Sequence, residues 1–250
     1  MKFIRIKNDN ITYNGLLKDD EITIIKGEFW DDYKITNKKL NIKDVKILAP
    51  VLPSKIVCVG LNYKDHAREL KLDVPKNPIL FIKPNSSVLN PNQEIIMPKQ
   101  SKRVDYEGEL AFVIKKRAKN VKAKDYKDYI LGYTCLNDVT ARDLQNQDGQ
   151  WTRAKSFDTF CPFGPIINDE PLPFSLEIKT ILNGKVVQQS NTNQFIFDVP
   201  HLLEFISECM TLEAGDIVST GTPSGIGKLN SGDNVEILIE SVGSLINFVR

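Results

Sequence analysis

Histidine is nearly missing from this chain of 250 residues: only His66 and His201 occur, which excludes a histidine-rich metal centre. Cysteine is sparse as well. Cys58, Cys135, Cys161 and Cys209 are spread too widely for a zinc-ligand spacing or a dense disulfide framework, and their apolar neighbours read as those of reduced core thiols. An excess of either charge is lacking: 33 Lys and Arg stand against 32 Asp and Glu, a formal net charge of +1. That near-cancellation removes the electrostatic case for nucleic acid or an anionic membrane as partner. No apolar run could span a bilayer, and Met1-Lys2-Phe3-Ile4-Arg5-Ile6-Lys7 alternates charge with apolar residues where a signal peptide would be unbroken. A cytoplasmic protein is expected. A phosphate loop is absent too. Thr220-Gly221-Thr222-Pro223-Ser224-Gly225-Ile226-Gly227-Lys228 is glycine-rich, but the Walker A spacing needs glycine at position 222 and a hydroxyl residue at 229, where Thr222 and Leu229 stand. Its amides and hydroxyls remain suited to a substrate carboxylate.

What is present reads mostly as strand, an α+β chain long enough for a sizeable core. Residues 1–52 read as a small β-rich N-terminal domain with strands over Lys2–Lys7, Ile11–Tyr13 and Glu21–Ile25, and Asn14-Gly15 as a hairpin turn. The prolines of Leu48-Ala49-Pro50-Val51-Leu52-Pro53 favour an extended connection, and residues 53–250 form the second domain. There, Lys55–Gly60, Ile79–Lys83, 174–182, Lys185–Gln189, Ile217–Ser219, Val235–Ile239 and Leu245–Val249 read as strands, with a turn at Asn183-Gly184. Pro200 opens a helix that is apolar at helical spacing.

The chemistry concentrates around Arg103-Val104-Asp105-Tyr106-Glu107-Gly108-Glu109 and the apolar strand that follows. A side-chain period of two puts Asp105, Glu107 and Glu109 on the face shared with Ala111 and Val113. Neighbouring buried carboxylates are costly unless a cation compensates, and a hard divalent metal is one compensator. An edge strand with its acids in solvent reads equally well on this stretch alone. Asp138 sits at the end of a second apolar strand, Ile130–Thr140, and becomes a third carboxylate if the two strands lie side by side. Asn62 is positioned to cap a short helix on which His66 and Glu69 are neighbours at i, i+3. Such a pair is either a surface ion pair or a carboxylate-oriented general base. Lys155 and Asp158, in aromatic company, are either pocket charges or a salt-bridged loop, and His201 reads as structural.

Taken together these blocks resemble the fumarylacetoacetate hydrolase family, from about Ile56 to the C-terminus. The carrying motifs are Gly60-Leu61-Asn62-Tyr63 with His66 and Glu69, Phe81-Ile82-Lys83-Pro84, Tyr106-Glu107-Gly108-Glu109-Leu110, Asn137-Asp138-Val139-Thr140-Ala141-Arg142-Asp143-Leu144-Gln145, Lys155-Ser156-Phe157-Asp158, Asn183-Gly184, and Gly215-Asp216 through Gly225. The resemblance implies a mixed β-roll or sandwich, a catalytic metal-binding domain over 53–250, and a homodimer. It implies Glu107, Glu109 and Asp138 as ligands of magnesium or manganese, Lys155 as an active-site lysine, His66 and Glu69 as a catalytic pair, and Thr222 with Gly221 as contacts for a substrate carboxylate. The expected reaction is hydrolysis of a C–C bond in an acylpyruvate-type 2-oxo acid through a metal-bound enolate. Oxaloacetate-type decarboxylation and 2-hydroxyhepta-2,4-diene-1,7-dioate-type isomerisation are the alternatives, and a catalytically silent carboxylate-binding protein is a third.

Overall fold

Alternating apolar residues with both faces covered produce the central element of this computed structural model, which describes residues 1–170 and 175–250. In chain order the N-terminal strands are β1 (Lys2–Asn8), β2 (Ile11–Lys18), β3 (Glu21–Lys26), β4 (Lys34–Asn41) and β5 (Lys46–Leu48). Then follow β6 (Ile56–Gly60), helix α1 (Lys64–Leu70), β7 (Ile79–Lys83), β8 (Val88–Leu89), β9 (Glu94–Ile95), β10 (Val104–Tyr106), β11 (Gly108–Ile114), β12 (Ile130–Asn137) and β13 (Thr140–Ala141). The remainder comprises α2 (Arg142–Asp148), α3 (Thr152–Lys155), β14 (Cys161–Asn168), β15 (Glu177–Leu182), β16 (Lys185–Asn191), α4 (Val199–Cys209), β17 (Ile217–Ser219), β18 (Gly227–Lys228), β19 (Asn234–Ile239) and β20 (Gly243–Val249).

A 12-stranded sheet runs β4-β3-β2-β1-β14-β12-β11-β17-β6-β7, with β5 beside β1 and β8 beside β14. The N-terminal strands therefore continue the large sheet, through antiparallel pairing of β1 with β14. A 5-stranded sheet, β16-β15-β19-β20-β9, packs against it, and a 3-stranded one, β13-β10-β18, adds Val104, Tyr106 and Ala141 to the same core cluster. The result is the mostly β, mixed-sheet roll that the sequence implies. Period two is visible in the packing. Ile56, Cys58, Ala111, Val113 and Ile217 face one core cluster, while Val57, Val59, Phe112, Ile114 and Val218 face another against Leu202, Leu203 and Ile206 of α4. Each of those three helix side chains is fully buried and contributes roughly 1.5–3 kcal/mol by its removal from water. Pro200 in the first turn and Asp198, whose side chain accepts the His201 N–H, start α4.

Several local expectations are corrected. Asn14 and Gly15 lie inside β2, where a Cβ on Gly15 would sit 2.5 Å from Ile22 Cγ2. The turn between β2 and β3 falls instead at Asp19 and Asp20, with Asp19 left-handed at φ 53°, and β1 turns into β2 at Asp9 and Asn10, with φ 48° and 65°. β4 was not expected. The strand read over 174–182 begins at Glu177, and residue 174 lies outside the described residues. The Asn183-Gly184 turn is present, with φ 50° and 77°. All four cysteines are free, but Cys209 at the end of α4 is exposed and not a core residue.

Candidate active site

The acidic stretch does not form one strand: it divides between two sheets at Glu107. Tyr106 and the residues before it pair with β13 and β18, whereas β11 pairs with β12 and β17. At the break, Glu107 N–H donates to the side-chain Oδ1 of Asn137 at 2.9 Å, and Asp138 N–H donates to Glu107 O at 2.9 Å. The two exchanges dock the end of β12 against the start of β11. Glu107, Glu109 and Asp138 are thereby all buried, with one oxygen of each within 4.8 Å of the others. The edge-strand reading fails on that burial.

Cations meet this cluster unevenly. Lys155, at the end of α3, donates from Nζ to Glu107 Oε2 at 2.7 Å and Asp138 Oδ2 at 2.6 Å, with its ammonium 5.0 Å from the centre of the Phe81 ring. Lys83 Nζ contacts Asp138 Oδ1 and Arg142 Nη2 contacts Glu107 Oε1. Burial alone would raise the Glu107 carboxyl, but Lys155 and Arg142 outweigh it and hold the group well below the usual carboxylate range. Burial alone would discharge Lys155, yet Asp138 and Glu107 hold it protonated well above an ordinary lysine. Glu109 has no such relief. It accepts from Ser219 Oγ and from Gly221 N–H, the latter at 2.9 Å, and among the described residues it forms no salt bridge. Burial first, and then the charges of Asp138 and Glu107, push its pKa well above the ordinary value.

A divalent cation fits this donor set. The ligands are hard oxygens, carboxylate lone pairs remain on each, and the uncompensated charge falls on Glu109, beside the two other carboxylates. Magnesium and manganese are the ions such ligands take.

The His–Glu pair is formed on α1. His66 is buried, its Nδ1 lies 2.8 Å from Glu69 Oε2, and Glu69 Oε1 accepts the Gly225 N–H at 3.0 Å. With Nδ1–H donated to the carboxylate, Nε2 keeps its lone pair and can accept a proton. Asn62 does not cap this helix, whose N-cap is Tyr63 without a side-chain bond. Fully buried, it instead donates from Nδ2 to Phe197 O and Thr220 O, at 3.0 and 2.8 Å. The glycine-rich loop thus meets the carboxylate cluster through Gly221 and the His–Glu pair through Gly225. Gly221 takes φ +92°, and a Cβ there would come within 2.9 Å of Asn62 Cβ. Thr222 is buried beside it, its hydroxyl donating to Gly108 O at 3.0 Å.

Asp158 is exposed and is not among the partners of Lys155. His201 stacks on Phe197 at 5.3 Å and on Phe205 at 6.4 Å, on α4. Asp105, fully buried, pairs with Arg103 and with Arg142, whose Nε–H donates to it at 2.9 Å. Lys83, Arg142, Ser219 and Asn137 were missed as contributors. Both Lys83 and Arg142 stand in motifs that carry the family resemblance, but locally Lys83 is a lone cation closing an apolar strand and Arg142 belongs to a polar helix start like that of many surface helices.

Residues 55–250 match the family described as fumarylacetoacetate (FAA) hydrolase C-terminal, and residues 1–50 match the one described as Rv2993c-like, N-terminal. A protein of Archaeoglobus fulgidus is 60% identical over 203 residues, which is 81% of this chain and 81% of the relative. The mitochondrial oxaloacetate tautomerase Fahd2a of Rattus norvegicus is 46% identical over 217 residues, 82% of this chain and 69% of the relative. In solved structures, the 2-hydroxyhepta-2,4-diene-1,7-dioate isomerase of Mycobacterium marinum superposes with TM-score 0.93 at 41% identity, over 100% of this chain and 98% of that one. The larger matched segment contains the carboxylate cluster, Lys155, the His–Glu pair and the glycine-rich loop, and the chain belongs to the fumarylacetoacetate hydrolase family of enzymes.

Proposed function

We propose that this protein is a divalent-metal-dependent enzyme that moves a proton within small 2-oxo dicarboxylic acids, interconverting keto and enol tautomers or double-bond isomers. One observation carries the reading: a single loop donates Gly221 N–H to Glu109 and Gly225 N–H to Glu69, drawing an acid–base pair and a charge-stabilising carboxylate cluster to the same place. Two of the relatives, the tautomerase and the isomerase, are named for such proton shifts. Magnesium or manganese held by Glu107, Glu109 and Asp138 would supply positive charge toward the oxygens of the 2-oxo acid. Glu69 orients His66, whose Nε2 takes the proton from the carbon next to the keto group and returns it to oxygen or to a more distant carbon. Lys155, held protonated, stabilises the enolate charge that arises between the two transfers. The loop around Gly221 and Thr222 receives a substrate carboxylate. The exposed apolar side chains of Leu70, Leu72, Val74, Ile79 and Ile82 fit a homodimer, which sedimentation would test.

Hydrolysis of an acylpyruvate is the second reading, favoured by the same buried His66, since a base that takes a carbon-bound proton can also take one from water. In that case the hydroxide adds to the distal carbonyl, the C–C bond breaks, and the enolate left behind regains the proton. The deciding experiment follows enol oxaloacetate, an unsaturated 2-oxo dioate and an acylpyruvate, each with and without magnesium or manganese, by product identity. Isomerised product without cleavage supports the first reading and carboxylate plus pyruvate the second. No acceleration of any substrate by the metal-loaded protein sinks both.

A further inference from the structure

Gln188 of β16 is a buried amide wired into the loop just described, yet its sequence context, an exposed-looking hairpin after Asn183-Gly184, suggests no chemistry. Pairing of β15 with β16 slips between Thr180 and Ile181, and this bulge sets Gln188 directly opposite Thr180. All of its polar capacity is used inward. Oε1 accepts from Gly108 N–H at 3.1 Å and from Thr180 Oγ1 at 2.6 Å, while Nε2 donates to Thr222 Oγ1 and to Pro223 O, each at 3.0 Å. The orientation of the amide is unambiguous, because Gly108 N–H needs an acceptor and Pro223 O needs a donor. Gly108 separates the two glutamates Glu107 and Glu109, and a Cβ there would collide with Thr180 Oγ1 at 2.3 Å. The loop is packed on the same bulge at Gly225, where a Cβ would lie 2.6 Å from Val187 O.

The network fixes the polarity of Thr222. Its hydroxyl proton goes to Gly108 O, and one lone pair is taken by Gln188. Toward a ligand Oγ1 therefore offers only a second lone pair, which repels a carboxylate and suits a hydroxyl donor. The Thr222 main-chain N–H has no acceptor among the described residues, and it is the donor left for a carboxylate. We propose that Gln188 is a positioning residue: it locks Thr222 with its hydroxyl as acceptor and its main-chain N–H as donor, and so sets how the loop receives the 2-oxo acid. The proposal rests on the substrate class proposed above.

Gln188→Glu tests it, because a carboxylate keeps the acceptor for Gly108 and Thr180 but cannot donate to Thr222 or Pro223. Gln188→Leu removes both arms, and Thr222→Val removes the receiving hydroxyl. With magnesium present, Gln188→Glu and Gln188→Leu raise KM for oxaloacetate about tenfold, the scale of one lost buried hydrogen bond, and leave kcat within about threefold. The Gln188→Leu/Thr222→Val double variant loses less than the product of the two single losses, since the Gln188–Thr222 hydrogen bond is broken in both. Amide hydrogen exchange accelerates over residues 220–226 in both Gln188 variants. Independent, multiplying effects of Gln188→Leu and Thr222→Val, or unchanged exchange in that loop, overturn the proposal. If the wild-type protein turns over no 2-oxo acid, the proposed function fails alone. Exchange together with calorimetric binding of oxalate, about tenfold weaker in the variants, then still decides the role of Gln188.

Discussion

Gly221 donates its main-chain N–H to Glu109 Oε2 at 2.9 Å, on the one carboxylate of the buried cluster that no cation touches among the described residues. An N–H dipole and the Ser219 hydroxyl are too little to compensate a buried charge that faces two others, and the pKa of Glu109 rises accordingly. Glu109 is held in a state that favours either a proton or a cation. Replacing it by glutamine keeps the size and removes the conflict. Glu109→Gln should stabilise the metal-free protein, raising Tm by about 2–4 °C for each kcal/mol gained in a chain of this length. It should weaken manganese binding at least about tenfold, within the range for loss of a buried charged ligand. Thermal melts in chelator and calorimetric titration with manganese measure the two effects, and a Tm that falls in the absence of metal contradicts this account.

The same residue sets a pH dependence. A carboxyl whose folded pKa is raised contributes stability that is present below its ordinary value and lost as pH rises through the raised one. Glu107 is depressed, so its contribution is kept above the ordinary value and is lost only as pH falls through its own low pKa. Above the ordinary carboxylate range, Glu109 is thus the cluster member whose titration changes stability. Metal-free stability should fall as pH rises above the ordinary carboxylate range, while manganese, taking the place of the proton, should restore more stability at the upper end. A metal-induced Tm shift that does not vary with pH would contradict this linkage.

Lys155 compensates two of the three carboxylates at once. Lys155→Met removes the one cation that bridges Glu107 and Asp138, leaving Arg142 on the first and Lys83 on the second in a buried site. The expected cost is about 3–5 kcal/mol, as for other buried pairs that lose one partner. Saturating magnesium should recover part of that loss, and activity should stay down by about 100-fold or more. Denaturant unfolding with and without magnesium separates the two roles. Full recovery of turnover by metal alone would leave Lys155 a purely structural counter-ion.

Much of this was legible because the relevant signals are local. The alternation after Glu109 placed that carboxylate on the face of Ala111 and Val113, and β11 has this arrangement. The ordered blocks identified the family, and the i, i+3 spacing of His66 and Glu69 matched a formed hydrogen bond. What was not legible depends on contacts distant in sequence. The division of the acidic stretch at Glu107 requires the Asn137 side chain, 30 residues away, to capture its N–H. Asn62 looked like a helix cap because such residues favour caps, but Phe197 and Thr220 compete for its amide from 135 and 158 residues away. Lys83, the last residue of β7, meets Asp138 from 55 residues away in the chain. Asn14-Gly15 has turn chemistry, overridden by pairing with β1 on one side and β3 on the other.

His66 and Glu69 can be separated from the metal cluster by substitution. His66→Ala removes the proton acceptor itself and should lower kcat by about 100- to 10,000-fold, the range for loss of a general base, with manganese affinity unchanged. Glu69→Gln keeps the acceptor for Gly225 N–H but leaves the imidazole poorly oriented, so its loss should be smaller. If both variants instead lose manganese affinity, the pair supports the cluster and does not transfer protons. Under the proton-shift reading His66→Ala should slow isomerisation; under the hydrolytic reading it should abolish cleavage and leave enolisation measurable.

Gly221→Ala tests the loop geometry that joins the two halves of the site. The backbone there is left-handed, with φ +92°, and the added methyl would meet Asn62 Cβ at 2.9 Å and Val59 O at 3.1 Å, both belonging to buried, well-anchored residues. Neither can retreat easily, so the loop must move, at a cost of about 1–3 kcal/mol for the unfavourable backbone. Movement takes the N–H away from Glu109 Oε2 and deepens the charge conflict on that carboxylate. The variant should therefore be less stable than the wild type in chelator, and with its ligand disturbed its apparent manganese affinity falls about threefold to tenfold, so that a given manganese concentration restores less stability than it gives the wild type. The contrast with Glu109→Gln is the check: that change makes the metal-free protein more stable and this one makes it less, though both weaken the metal. Equal Tm shifts of the same sign in chelator for the two variants would show that the Gly221 amide has no part in holding Glu109.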